Sequence, residues 1–124
     1  MHTLSQLKSG ELIGIKQLKI SENLTSFPLE ILSLANSLEI LDLSNNQLTC
    51  LPNELVKLKN LRIIFASNNL FEALPTVLGQ CVNLEMVGFK SNKINVVSEG
   101  SLPVRLRWLI LTDNLIKVLP DSLG

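Results

Sequence analysis

Tyrosine is absent and aromatic residues make up only 4% of the 124-residue chain, so aliphatic side chains must supply most of the core in a sequence that is 46% hydrophobic. Neither sign of charge is in excess, with eleven Lys plus Arg against eleven Asp plus Glu. No global field therefore draws the chain to nucleic acid or to an anionic membrane surface. No apolar run reaches membrane-spanning length, and the opening MHTLSQLKSGEL has no long apolar stretch before a small-residue cleavage site. This pattern reads as cytoplasmic. Histidine occurs once, as His2 near the start, and is assigned no role. No cysteine stands beside a base, and no carboxylate pair is spaced for shared acid–base work, which argues against catalysis by this chain and leaves no basis for a metal or cofactor. Asp113, beside Asn114, is the nearest acidic candidate and reads as an exposed residue. Of the two cysteines, Cys81 falls at an aliphatic position and reads as buried. Cys50 precedes a Leu-Pro pair at another phase of the chain and reads as a partly exposed free thiol.

What the chain has in abundance is one repeated stretch. In LEILDLSNNQLTCLP, from Leu38 to Pro52, the apolar residues and one asparagine follow L-x-x-L-x-L-x-x-N-x-L. Leu41 and Leu43 alternate as a short strand with one face inward, after which the chain must turn sharply. A turn leaves N–H and C=O groups unpaired in the interior, and an asparagine amide can both accept and donate to them. Copies follow. The third has Leu61, Ile64, Ala66, Asn69 and Phe71; the fourth has Leu84, Val87, Phe89, Asn92 and Ile94; the fifth has Leu106, Leu109, Leu111, Asn114 and Ile116. Ile20, Leu43, Ala66, Phe89 and Leu111 are separated by 23, 23, 23 and 22 residues. The first copy, with Ile15, Leu18 and Ile20, has a turn one residue shorter, so Leu24 matches Leu48 and Asn23 falls at the position of Gln47. A ladder of buried asparagines is thus expected at Asn46, Asn69, Asn92 and Asn114.

Between strands, LPNELVKLKN and LPTVLGQCVN carry Leu55, Leu58, Leu78 and Cys81 at a three-residue spacing suited to short helical or 3-10 returns. Gly100 and Pro103 interrupt that spacing in VSEGSLPVR, which predicts a more extended fourth return. Ahead of the repeats, Thr3 and Gln6 have capping-box spacing, and residues 1–14 read as a helical cap over the first layer. Repeats fill 15–124, the fifth incomplete and its end without a polar cap.

These residues resemble the leucine-rich repeat family over about residues 15–120. The resemblance implies an α/β fold: a right-handed β-α solenoid with a parallel sheet on the concave face, helical or 3-10 returns on the convex side, and an open C-terminal end. The cap, the short first turn and the stretches LEMVGFKSN and LRWLILTDN resemble the N-terminal arrays of bacterial proteins that join such repeats to a protein-kinase-like domain. None of the kinase signature is present in this chain. LPVRLRWLILTDN also resembles the repeats of bacterial effector ligases, although the 23-residue period elsewhere argues against that group.

Residues between the inward aliphatics point to the concave face and align as columns across the strands. One column, Lys16, Glu39, Arg62, Glu85 and Arg107, alternates in sign between neighbours about 4.8 Å apart and reads as a mutually satisfied ladder. The adjoining columns bring Ile40, Ile63, Phe65, Met86, Trp108 and Ile110 into one apolar patch. The largest exposed patch of a monomer is typically ~300–600 Å², so this one is a candidate contact surface for a protein or peptide. Another part of the full chain covering it, or self-association of the array when no partner is present, would meet the same need.

Overall fold

In the computed structural model, which describes residues 1–118 and 120, five three-residue strands form one parallel sheet in sequence order. They are β1 (Gln17–Lys19), β2 (Ile40–Asp42), β3 (Ile63–Phe65), β4 (Met86–Gly88) and β5 (Trp108–Ile110). The last part of the expected fifth repeat, residues 119 and 121–124, lies outside the described residues. Each strand is short because the aliphatic alternation lasts only a few residues before the turn. The turn needs a left-handed residue in every repeat: Asn23, Asn45, Asn68, Ser91 and Asp113 all have φ between 54° and 63°. Asparagine and aspartate tolerate this region better than most residues. Asp113 is therefore a turn residue, and its Oδ2 accepts from Ser91 Oγ at 2.8 Å.

The returns are 3-10 turns at Leu29–Leu34, Asn53–Lys57, Thr76–Gln80 and Glu99–Ser101, the first three each preceded by proline and the last by Ser98. The fourth is cut to three residues and then runs extended through Leu102, at φ −98° and ψ 114°. This is where Gly100 and Pro103 break the spacing, and there the third and fourth returns pack closely.

The core lies between sheet and returns as layers one repeat thick. Leu18 and Ile20, Leu41 and Leu43, Ile64 and Ala66, and Val87 and Phe89 are all fully buried, with Leu55 and Leu78 beneath them. Phe71 and Phe89 meet edge to face with ring centroids 5.0 Å apart. In the fifth repeat Leu106, Leu109, Leu111 and Ile116 are only partly buried.

Ahead of the sheet, α1 (Leu4–Ser9) begins with a reciprocal capping box between Thr3 and Gln6 and ends on left-handed Gly10. It buries Leu7, and Leu12 follows into the same cluster. His2, given no role by its position in the sequence, makes a parallel bridge with Ile20 and so lies along the outer edge of β1.

Candidate functional site

Strand register fixes which side chains share the solvent side of the sheet. Gln17, Ile40, Ile63, Met86 and Trp108 are aligned across the five strands, and so are Lys19, Asp42, Phe65, Gly88 and Ile110. The six apolar residues singled out from the sequence therefore stand on neighbouring positions of one sheet face. Ile40, Ile63, Phe65 and Met86 are half-buried, while Trp108 is 51% and Ile110 39% exposed. Exposure is thus concentrated on β5. Phe65 and Met86 occupy the middle of the sheet and Trp108 its last described strand, so Trp108 is a rim residue of the patch.

The alignment has one gap, at Gly88, and the Phe65 ring fills it. A Cβ on Gly88 would come within 2.7 Å of Phe65 Cδ1, and Gly88 is buried on the face where its neighbours are open. Beside the patch, Glu85 lies between two arginines, 3.0 Å from Arg62 Nε and 4.0 Å from Arg107 Nη1, while Arg62 also reaches Glu39 at 3.6 Å. The Arg62 guanidinium is held above its ordinary range, first by its hydrogen bond to Glu85 and then by that carboxylate's charge. The alternating ladder is shorter than the sequence suggests: among the described residues no ion pair joins Lys16 to Glu39. Arg107 also stacks over Trp108, its Cζ 5.2 Å from the ring centroid, which fixes one face of the indole.

Under the sheet's C-terminal edge the asparagine amides bind the turns together. Asn69 Oδ1 accepts from Leu48 N of the preceding repeat at 2.9 Å, and its Nδ2 donates to Leu43 O and Ala66 O. Asn92 repeats the arrangement with Phe71 N, Ala66 O and Phe89 O, and Asn114 with Ile94 N, Phe89 O and Leu111 O. Asn46 serves the shortened first turn, where its Oδ1 accepts from both Glu22 N and Leu24 N. Each amide thus joins two successive turns.

A second polar row escaped the sequence reading. The residue before the first leucine of a repeat reaches back to a carbonyl of the preceding one. Ser37 Oγ donates to Ile15 O, Asn60 Nδ2 to Asn36 O and Asn83 Nδ2 to Lys59 O, and Arg105 Nη1 donates to Asn83 Oδ1. Its signal was present as a polar residue recurring immediately before Leu38, Leu61 and Leu84.

Cys50 and Cys81 are free, the first exposed and the second buried; burial pushes the Cys81 thiol up to about 11. Among the described residues no cluster of His, Cys, Asp and Glu is arranged to hold a metal, and no helix is long and apolar enough to cross a membrane. The surface carries open troughs of about 400 Å³, such as the one lined by Cys50, Leu51, Leu74 and Val77, with no convergent set of reactive groups.

Residues 37–58 match the family model described as Leucine Rich Repeat. No curated protein matches the chain. Among solved structures, an LRR protein of Leptospira interrogans is 32% identical and matches with a TM-score of 0.76 over 90% of this chain, which spans 29% of the length of that one. These likenesses do not support a fused kinase domain. The parallel sheet, the 3-10 returns and both comparisons agree that the chain folds as a leucine-rich repeat solenoid and carries a repeat of that family at residues 37–58.

Proposed function

We propose that the chain is a non-catalytic binding module that receives a protein or peptide on its concave sheet, with Ile40, Ile63, Phe65, Met86, Trp108 and Ile110 as the contact residues. The observation that carries this reading is the register, which sets five of the six on the three neighbouring strands β3, β4 and β5 and leaves Trp108 half exposed. Apolar burial is worth about 25 cal/mol per Å², so a few hundred square ångströms of excluded water is a substantial driving force before association costs are deducted. The sheet pre-orders these side chains, which lowers the entropy lost on binding. A cytoplasmic location is part of the proposal, supported by two unpaired cysteines. A regulatory arm of a bacterial kinase and the recognition domain of an effector ligase are narrower versions of the same binding role, and no observation on the molecule favours either.

The test is to select binding peptides from a displayed random library and to measure their affinity for variants that retain their circular dichroism. Phe65→Glu and Trp108→Glu should each weaken binding by about tenfold or more, and should reduce any self-association seen by sedimentation. Asn53→Ala and Gln80→Ala on the convex returns should leave both unchanged. If the convex variants abolish binding while the concave ones do not, the binding surface lies outside the sheet.

A further inference from the structure

The first edge of the sheet is closed by the chain's own N-terminal segment through a single residue. His2 N donates to Lys19 O at 2.8 Å, and Lys19 N donates to the His2 side chain at Nδ1, 3.1 Å away. Both backbone groups of Lys19 are thereby taken up on the side of β1 away from β2. They are the groups an added strand would use to extend the sheet, so at this point of the edge His2 stands where a β-augmenting strand would bond.

The two bonds make different demands on the imidazole. The main-chain bond is indifferent to its protonation, but the second needs a lone pair on Nδ1, which only the neutral ring with its proton on Nε2 provides. An imidazolium carries N–H on both nitrogens and would direct one at the Lys19 amide. We propose that His2 is an acid-released clasp, closed on β1 while its ring is neutral and opened when the ring takes up a proton, which uncovers the Lys19 amide at the sheet's first edge.

The rest of the cap is held by other means, so opening is local. Leu7 and Leu12 are buried in the core cluster, and the Leu4 amide donates to Glu22 Oε2 at 2.5 Å. The charged groups on the surrounding elements are the Met1 amino group, Lys8 of α1, Glu11 after it, Lys16 and Lys19 at β1, and Glu22 in the following turn. Glu11 accepts from Ser9 Oγ, and among the described residues none of these groups forms an ion pair with His2. Glu22 is the other titratable group that bonds the segment, and it must be separated from His2 by experiment.

Ile20 provides an internal reference, because its amide donates to Asp42 O on the inner side of the sheet and not to His2. Amide exchange of Lys19 and Ile20 would be measured by NMR on the 124-residue protein from about pH 7.5 to about pH 5 and expressed as protection relative to the unstructured chain, with the His2 ring nitrogens followed in the same samples. Lys19 protection should fall by about tenfold or more relative to Ile20, in step with charging of the ring. In His2→Asn, whose amide oxygen can accept without titrating, Lys19 should stay protected throughout. In His2→Phe it should be unprotected at every pH. Glu22→Gln should retain the wild-type profile. The clasp is refuted if the ring charges without loss of Lys19 protection, if the ring stays neutral across the range, or if His2→Asn shows the wild-type fall.

Discussion

The Phe65 ring lies over the backbone of Gly88 on the adjacent strand, so close that a Cβ on Gly88 would be 2.7 Å from its Cδ1 and 3.2 Å from its Cε1. Glycine inside a strand ordinarily weakens it by about 0.5–1 kcal/mol relative to alanine. Here the missing side chain gives the ring a place to lie. Gly88→Ala should therefore cost about 1 kcal/mol when Phe65 is present, because the ring must swing away, and should be neutral or stabilising in a Phe65→Ala background. Urea midpoints of the four proteins in this cycle give the coupling. Additive changes would mean the ring and the glycine do not constrain one another.

The asparagine amides should matter more than any polar residue on the surface. Asn92→Ala would leave the buried Phe71 N without its partner, while Ala66 O and Phe89 O would keep the bonds from Asn69 and Asn114. Buried groups left unpaired in this way cost about 1–3 kcal/mol. Asn95→Ala, three residues along the chain and exposed, should change the urea midpoint negligibly. Equal shifts for the two variants would remove the amides from the account of stability.

Period explains what the sequence disclosed and what it withheld. A 23-residue repeat assigns every residue a phase, which places Leu41, Ile64 and Val87 inward and Ile40, Ile63 and Met86 outward from the sequence alone. The row formed by Ser37, Asn60 and Asn83 had the same periodic signal and was simply unread. Contacts made only once have no such signal. His2 meets Lys19 because one terminal segment folds back along β1, and phase says nothing about that pairing. The column through Phe65 and Gly88 was visible as a large residue beside an absent one, but the direction in which the ring leans is set by packing. The first turn shows how an irregularity is absorbed: with one residue fewer, Asn46 accepts two amides where the later asparagines accept one.

The two thiols should differ in reactivity by position alone. Cys50 is exposed, whereas Cys81 is buried with its Sγ 3.5 Å from Val77 O and its thiol pushed up to about 11 by burial. The thiolate is the reactive form, so at about pH 8 Cys81 should be almost fully protonated as well as covered. A thiol-specific reagent should label one site per folded chain and two per chain in denaturant, with Cys50→Ser abolishing the native signal. The sign for stability follows. The fold retains the Cys81 proton where the unfolded chain, with an ordinary thiol near 8.5, has lost it, so the burial of Cys81 stabilises fully below about pH 8.5 and progressively less up to about 11. Equal native labelling of both cysteines would contradict the buried assignment.

Close contact between the third and fourth returns rests on one glycine and not on the other. A Cβ on Gly79 would sit 1.8 Å from Gly100 O and 2.8 Å from Gly100 C, which are main-chain atoms unable to step aside as a side chain can. Around Gly100, by contrast, a Cβ would meet nothing within 4 Å. The asymmetry arises because the fourth return is only three residues long and lays its backbone against Gly79. Gly79→Ala must push the two returns apart and disturb the buried Val77, Leu78 and Ser101 around them, at a cost of about 1–3 kcal/mol typical of overpacking. Gly100→Ala should shift the urea midpoint by no more than a surface substitution does. Because the returns and strands alternate along one solenoid, separating the returns also changes the tilt between β4 and β5, so Gly79→Ala should weaken peptide binding at Trp108 and Ile110 more than at Ile40. If Gly79→Ala is as mild as Gly100→Ala, the returns are not packed through that glycine and the compressed fourth return has no hold on the geometry of the concave face.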